Sequence, residues 1–405
     1  MLATTCKKCI SIDRICRLGV SLKRVSLADL AFVGLLFIVV FTGNAKIFGF
    51  PLNVLLPICA LLFAPQVRTH AKGWLISIVS ASIFFIYAFR LDVAYDAFYP
   101  LWIINFIVCY LIVITINERL HKRTEQTLHA AFYVYLVLLM MFATPMILDG
   151  DEGRSSFIFG PNILYRVIGF FAIIVVGYLV YKEQVLLAVP MSLLCFYLLL
   201  LTGSRGSLLP LVVLVVVFLH CRFKRFSFRS LLYGSIIAAS TVVLVGTIDF
   251  QSYRAFSFDT LMVDGDLDYH EAYIRYRPYI YMLNEPDRLS MIGIDYQKWL
   301  LLFHSEGFLY PHSLILDLIM FYGIFGVVFL AYLITKVVVV LRVMLSTTIS
   351  PIHIFYYAFF ASGAGTLVSG DMGDNGAFMG IIMGMSAGSL NGRLGVQGAA
   401  TNFYK

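Results

Sequence analysis

The stretch FFAIIVVGYLV at positions 170–180 carries no charge, and LLPLVVLVVVFL at 208–219 repeats the pattern around one proline. Neither alternates apolar with polar residues, as a half-buried strand or a transmembrane barrel segment would. Both are apolar on every face of a helix, as a helix surrounded by lipid would be. Working outward, similar runs recur from Leu27 to the C-terminal region. Each needs roughly 20 residues to cross a hydrocarbon layer of about 30 Å. With 60% hydrophobic residues, 13% charged residues and a mean hydropathy of +0.88, the chain lacks the polar surface of a water-soluble domain. The expected fold class is all-α: a polytopic transmembrane helical bundle of about 12 spans with one larger periplasmic segment. The span cores are expected at 27–43, 48–64, 73–89, 97–116, 127–147, 161–181, 184–201, 207–220, 231–247, 323–341, 350–368 and 376–390.

Sidedness follows from where Lys and Arg collect. Lys7, Lys8, Arg14, Arg17, Lys23 and Arg24 precede the first span and put the N-terminus in the cytoplasm. Arg68 with Lys72, Arg119 with Lys122 and Arg123, and Arg222 with Lys224, Arg225 and Arg229 then fall on the same inner side. Acidic residues gather opposite them, at Asp92, Asp96, Asp149, Asp151 and Glu152 and through 249–306. The net charge of +7 is thus mostly a topology signal and gives no reason to expect nucleic acid. No signal-peptide cleavage site follows the first apolar run, so that run is expected to stay. The seven cysteines lie mainly in expected spans or on the inner side, which argues against a disulfide framework. Cys6, Cys9 and Cys16 have no fourth ligand nearby, so no metal site is expected.

The chain divides into a basic cytoplasmic tail at 1–26, the first nine spans at 27–248, a periplasmic catalytic segment with a re-entry helix at 249–322, the C-terminal spans at 323–390 and a cytoplasmic tail at 391–405. Most connections are short, but about 60 residues separate the ninth span from the next. That segment mixes carboxylates, arginines, histidines and tyrosines, a set suited to polar, sugar-like ligands.

Four places could carry chemistry. The first, Thr202-Gly203-Ser204-Arg205-Gly206, is a polar break between two apolar spans. Its arginine is either a snorkelling anchor in a tight turn or a guanidinium fork for diphosphate oxygens, with flanking glycines allowing close approach. The second is Arg275 with Arg277, near Tyr279 and Arg288: either solvated ion pairs with nearby carboxylates, or a second phosphate clamp with tyrosine faces for sugar rings. In the third, Pro311-His312-Ser313, the histidine is either an interfacial filler or the base that takes a proton from an acceptor hydroxyl. On a helix, Asp317 stands at i+4 from Ser313 and about 140° around the axis from His312, so it is poorly placed to orient the imidazole. In the fourth, Asp264-Gly265-Asp266-Leu267-Asp268 begins like a calcium loop, but Tyr269 and Arg275 stand where that loop needs glycine and glutamate, so a solvated acidic turn is expected.

In order along the chain, Phe159-Gly160-Pro161-Asn162, Leu201-Thr202-Gly203-Ser204-Arg205-Gly206, the stretch from Arg275 through Tyr279, Met282-Leu283, Pro286 and Ile292-Gly293, and Pro311-His312-Ser313 followed by Gly323 and Gly326 resemble the O-antigen ligase and Wzy-type O-antigen polymerase superfamily of bacterial membrane glycosyltransferases. The similarity covers positions 150–390 in pattern, with no single motif longer than about six residues. Ser313 departs from it, since many members carry asparagine there.

The resemblance implies a metal-independent glycosyltransferase without cofactor in a bacterial cell inner membrane, with both termini cytoplasmic and the site periplasmic. Its donor would be an oligosaccharide on undecaprenyl diphosphate. Arg205 and Arg275 would hold the diphosphate and His312 would activate or orient the acceptor hydroxyl. Arg277, Arg288, Asn162, Ser204, Ser313 and Tyr279 are the further substrate-binding candidates. The acceptor is a lipid-linked repeat unit for a polymerase, or lipid A core for a ligase. Polymerase is the first expectation, because sequence variability among polymerases accommodates Ser313 and the acidic stretch. A chain-length regulator would be a further partner beside the membrane lipids. A transporter or flippase of lipid-linked sugars is the rival of another class; it calls for charges along a path through the bilayer, whereas here the spans and re-entry helix hold chiefly Asp29, Arg166, Asp317 and Lys336. A structural assembly partner is the third reading.

Overall fold

The computed structural model of the chain describes residues 33, 46–47, 50–51, 98–148, 161–223, 262–263, 266–267, 293, 301, 314–346, 349–364, 376 and 378–387. It is all-α: besides helices and short connections, these residues hold only two-residue antiparallel ladders, β1 (Lys46–Ile47) with β2 (Phe50–Pro51) and β3 (Met262–Val263) with β4 (Asp266–Leu267). The first ladder takes Phe50 and Pro51 out of the span expected at 48–64, consistent with proline favouring a strand edge over a helix interior. In the second, Met262 pairs with Leu267 and Val263 with Asp266.

The helices are α1 (Phe98–Leu148), α2 (Pro161–Tyr181), α3 (Val185–Leu201), α4 (Leu208–Phe223), α5 (Leu314–Ser346), α6 (Pro351–Ala364) and α7 (Phe378–Ala387). Three segments are long and apolar enough to cross a membrane: Glu125–Leu148, Leu164–Tyr181 and Tyr322–Arg342. Helix α2 is the centre of the bundle and packs against α1, α3, α4 and α6. In its apolar window 89% of residues are buried, against 17% in Tyr322–Arg342. The stretch at 170–180 is therefore apolar on every face because protein surrounds it. Tyr135 stacks on Phe171 at 5.2 Å, Phe170 meets Phe359 at 5.3 Å, and the Tyr135 hydroxyl donates to the Val33 carbonyl at 2.7 Å, which ties in the first expected span.

Helix α1 is helical throughout, and its polar middle, NERLHKRTEQ at 117–126, holds neither glycine nor proline to stop it. It cannot be straight. A straight α1 would put Phe106 about 28 Å beyond Glu125, away from the bundle. Instead Glu125 lies beside Tyr181 at one end of α2, while Phe106 lies against Gly380 of α7, whose Phe378 packs on Gly363 at the other end. Phe106 therefore lies toward the end of α2 away from Glu125.

Exposed side chains fit apolar surroundings. Met141, Leu148, Leu186, Leu193, Phe325 and Val328 point outward. The hydroxyls of Thr144, Ser192 and Thr335 turn back onto the carbonyls of Met140, Ala188 and Ala331 at 3.0, 2.6 and 2.9 Å, which satisfies them without water.

Candidate functional site

Helix α3 stops at Leu201 because Gly203 takes a left-handed φ of 61°, a helix-ending conformation that glycine adopts without strain. The turn that follows is held by its own groups. The Gly203 N–H donates to the Leu200 carbonyl at 2.9 Å, and the Thr202 hydroxyl to that of Leu199 at 2.7 Å. Ser204 caps the next element: its Oγ accepts from the Gly206 N–H at 3.3 Å, and its carbonyl from the Ser207 N–H at 3.0 Å, closing a 3-10 turn over Arg205–Ser207 that runs into α4. Thr202, Ser204 and Ser207 are buried.

This turn is pressed onto the first turns of α2. A Cβ at Gly206 would run into the ring and hydroxyl of Tyr165, and one at Gly169 into the ring of Pro210. Position 206 therefore has to be glycine for the turn to lie where it does. The same end of α2 carries Asn162 and, one helical turn on, Arg166, which is only 2% exposed and lies 5.9 Å from the Tyr165 ring. Since guanidinium stays protonated, Arg166 puts a fixed positive charge at this end. The Ser207 Oγ is buried with no hydrogen-bond partner among the described residues. The amides of Gly203, Ser204, Gly206 and Ser207 are already used internally, so an anion here would be held chiefly by side chains.

Of the residues singled out from sequence, Ser204, the backbone of Arg205 and the helical turn of Asn162 come together at one end of α2. Arg275, Arg277, Tyr279, Arg288, His312 and Ser313 lie outside the described residues. Gly293, of the Ile292-Gly293 pair, has a φ of 79° that suits only glycine, and α5 opens directly after Ser313. Sequence reasoning noted Arg166 only as an ionisable residue within the spans. Its i+4 spacing from Asn162, on one face of an apolar helix, was the available signal.

The opposite end of the bundle holds a polar cluster that no motif announces. His129 Nδ1 meets the Tyr178 hydroxyl at 2.5 Å, Tyr181 donates to Glu125 at 3.4 Å, and Lys182 pairs with Glu125 at 3.5 Å. His220 Nδ1 meets the Tyr357 hydroxyl at 2.8 Å, and its ring lies edge-on to that of His353 at 5.8 Å. His353 Nδ1 accepts from the Ser350 N–H at 3.1 Å, so its proton sits on Nε2; the arrangement caps α6 as a glutamate would in a capping box. Among the described residues no three His, Cys, Asp or Glu side chains come together as a metal site.

Comparisons with protein-family models, with curated proteins and with solved structures find no match to this chain.

Proposed function

We propose that the chain is a membrane glycosyltransferase that takes a glycan from undecaprenyl diphosphate and adds it to a lipid-linked repeat unit at the non-cytoplasmic face of a bacterial inner membrane. The observation that carries this reading is the turn at 202–207: Gly206 on the Tyr165 ring fixes the backbone of Arg205 at the end of the central helix that also bears Asn162 and Arg166. Lys182 and Arg222 lie at the other end, with Lys224 and Arg225 next in the sequence, and an excess of basic residues marks the cytoplasmic side.

In the reaction the acceptor hydroxyl oxygen bonds to the sugar C1 as the C1–O bond to diphosphate breaks. The hydroxyl proton passes to His312. The electron pair leaves with undecaprenyl diphosphate, whose growing charge Arg205 and Arg275 stabilise through bidentate hydrogen bonds. No nucleotide is required, because the lipid-linked bond already stores the energy. The apolar interior of α2 from 167 to 177 supports the enzyme reading over a transporter, which needs a polar path past the centre of the bundle.

Substituting alanine for Arg205, Arg275 or His312 abolishes long-chain glycan on a gel at wild-type protein abundance; wild-type ladders from all three variants overturn the proposal. Lysine at 205 or 275 restores only part, since an ammonium keeps the charge and loses the fork. In a deletion strain, loss of everything beyond one repeat identifies a polymerase. Long chains left on undecaprenyl diphosphate identify a ligase acting on lipid A core.

A further inference from the structure

Two of the three segments long and apolar enough to cross a membrane meet at the end of α2 away from the turn, where one begins at Glu125 and the other ends at Tyr181. At this level an apolar run gives way to charge, so in a bilayer it is lipid headgroups that lie beside it. Glu125 and His129 stand one helical turn apart on α1, as do Tyr178 and Lys182 at the end of α2. They meet as two rungs, Glu125 with Lys182 at 3.5 Å and His129 Nδ1 with the Tyr178 hydroxyl at 2.5 Å. With the phenol donating to Nδ1, the ring proton sits on Nε2. His129 is 8% exposed, and its Nε2 has no partner among the described residues. Nor has the buried Oε1 of Gln184, two residues beyond Lys182. One atom is a donor and the other an acceptor, so an ion of either sign completes only one of them. The charges nearby are likewise mixed, with Lys182 against Glu125 and the exposed Glu183. Directly after Gln184, α3 opens with Val185, Leu186 and Leu187, all apolar and exposed.

We infer that this rim binds the headgroup of a zwitterionic phospholipid whose cation is a primary ammonium. The phosphate oxygens accept from His129 Nε2 and Lys182, and the ammonium donates to Gln184 Oε1 and Glu125. The acyl chains lie along the apolar side chains that open α3. An anionic headgroup brings no cation for the carboxylates, and a trimethylated ammonium has no N–H to donate. The inference is independent of the glycosyltransferase reading.

The test uses the purified full chain in detergent, with phospholipids of one acyl composition added, bound lipid counted by native mass spectrometry and thermal melting followed in parallel. Phosphatidylethanolamine is expected to stay bound and to raise the melting temperature, while phosphatidylcholine and phosphatidylglycerol do neither. Gln184→Leu weakens retention about tenfold, the loss of one hydrogen bond to a charged group. It leaves melting without lipid close to wild type, because the Gln184 side chain makes no cap hydrogen bond to α3. Glu125→Gln, whose exposed side chain contributes little to the fold, also weakens retention. An equal shift with phosphatidylcholine or phosphatidylglycerol overturns the inference, as does wild-type retention of phosphatidylethanolamine in both variants. Soluble phosphoethanolamine that reproduces the full shift at the same concentration makes the ligand a soluble compound and overturns the lipid assignment.

Discussion

The two ends of α2 carry polar side chains in different arrangements. At the His220 end, imidazoles, phenols, a carboxylate and an ammonium are paired with one another, His129 with Tyr178, His220 with Tyr357, His353 with Ser350 and Glu125 with Lys182, while His129 Nε2 and Gln184 Oε1 are buried without a partner among the described residues. At the Ser204 end a turn satisfies its own backbone, clears space with glycine, and leaves a buried hydroxyl unpaired beside a helix bearing a buried guanidinium. Groups that complete each other's hydrogen bonds stabilise a fold. Groups whose bonding stays incomplete in the protein alone are where a ligand can complete them.

The largest expected difference between the ends comes from Gly206→Val. Its side chain meets the Tyr165 ring, so the turn must move. Overpacking of this kind costs about 1–3 kcal/mol, and displacement of Arg205 lowers glycan transfer about 100-fold per folded molecule. Thermal melting and donor consumption read the two effects separately. Equal transfer in Gly206→Val and wild type would break the contrast.

Next in size, His220→Leu leaves the Tyr357 hydroxyl without its histidine partner and destabilises by about 1–3 kcal/mol. Adding Tyr357→Phe recovers most of that loss, and transfer per folded molecule stays at the wild-type rate in both variants. A double-mutant cycle with no coupling would show that the pair is not the structural unit.

Ser207→Ala sharpens the comparison with a smaller effect of opposite sign. Removing a buried hydroxyl with no partner among the described residues leaves stability unchanged or raises it by up to about 1 kcal/mol, while donor binding weakens. A fall in stability together with unchanged donor affinity would make Ser207 one more structural group. The smallest effect is expected from Glu125→Gln: its side chain is 65% exposed, and its pair with Lys182 is worth under about 1 kcal/mol, screened by salt.

Much of the frame was legible in sequence because its punctuation is local. Gly203 ends α3, and the chain's own turn chemistry separates 161–181, 185–201 and 208–223. The site was legible only as residue types in order, since Arg205 and Asn162 stand in short motifs. What sequence could not give was who surrounds whom. The run at 170–180 reads the same whether lipid or protein encloses it, and only packing shows that α2 is the centre. The His–Tyr pairs were hidden because their partners lie 49 and 137 residues apart, with no spacing rule to join them. Tyr165 looks like any aromatic core residue until Gly206 is seen lying on its ring.

The central claim is that the turn at 202–207 holds the diphosphate of a lipid-linked glycan through Arg205. Purified protein in vesicles, supplied with undecaprenyl-diphosphate-linked oligosaccharide and acceptor, should release undecaprenyl diphosphate, and the Arg205→Ala protein should not, while the His220→Leu/Tyr357→Phe protein should match wild type. Release by Arg205→Ala at the wild-type rate would contradict the account.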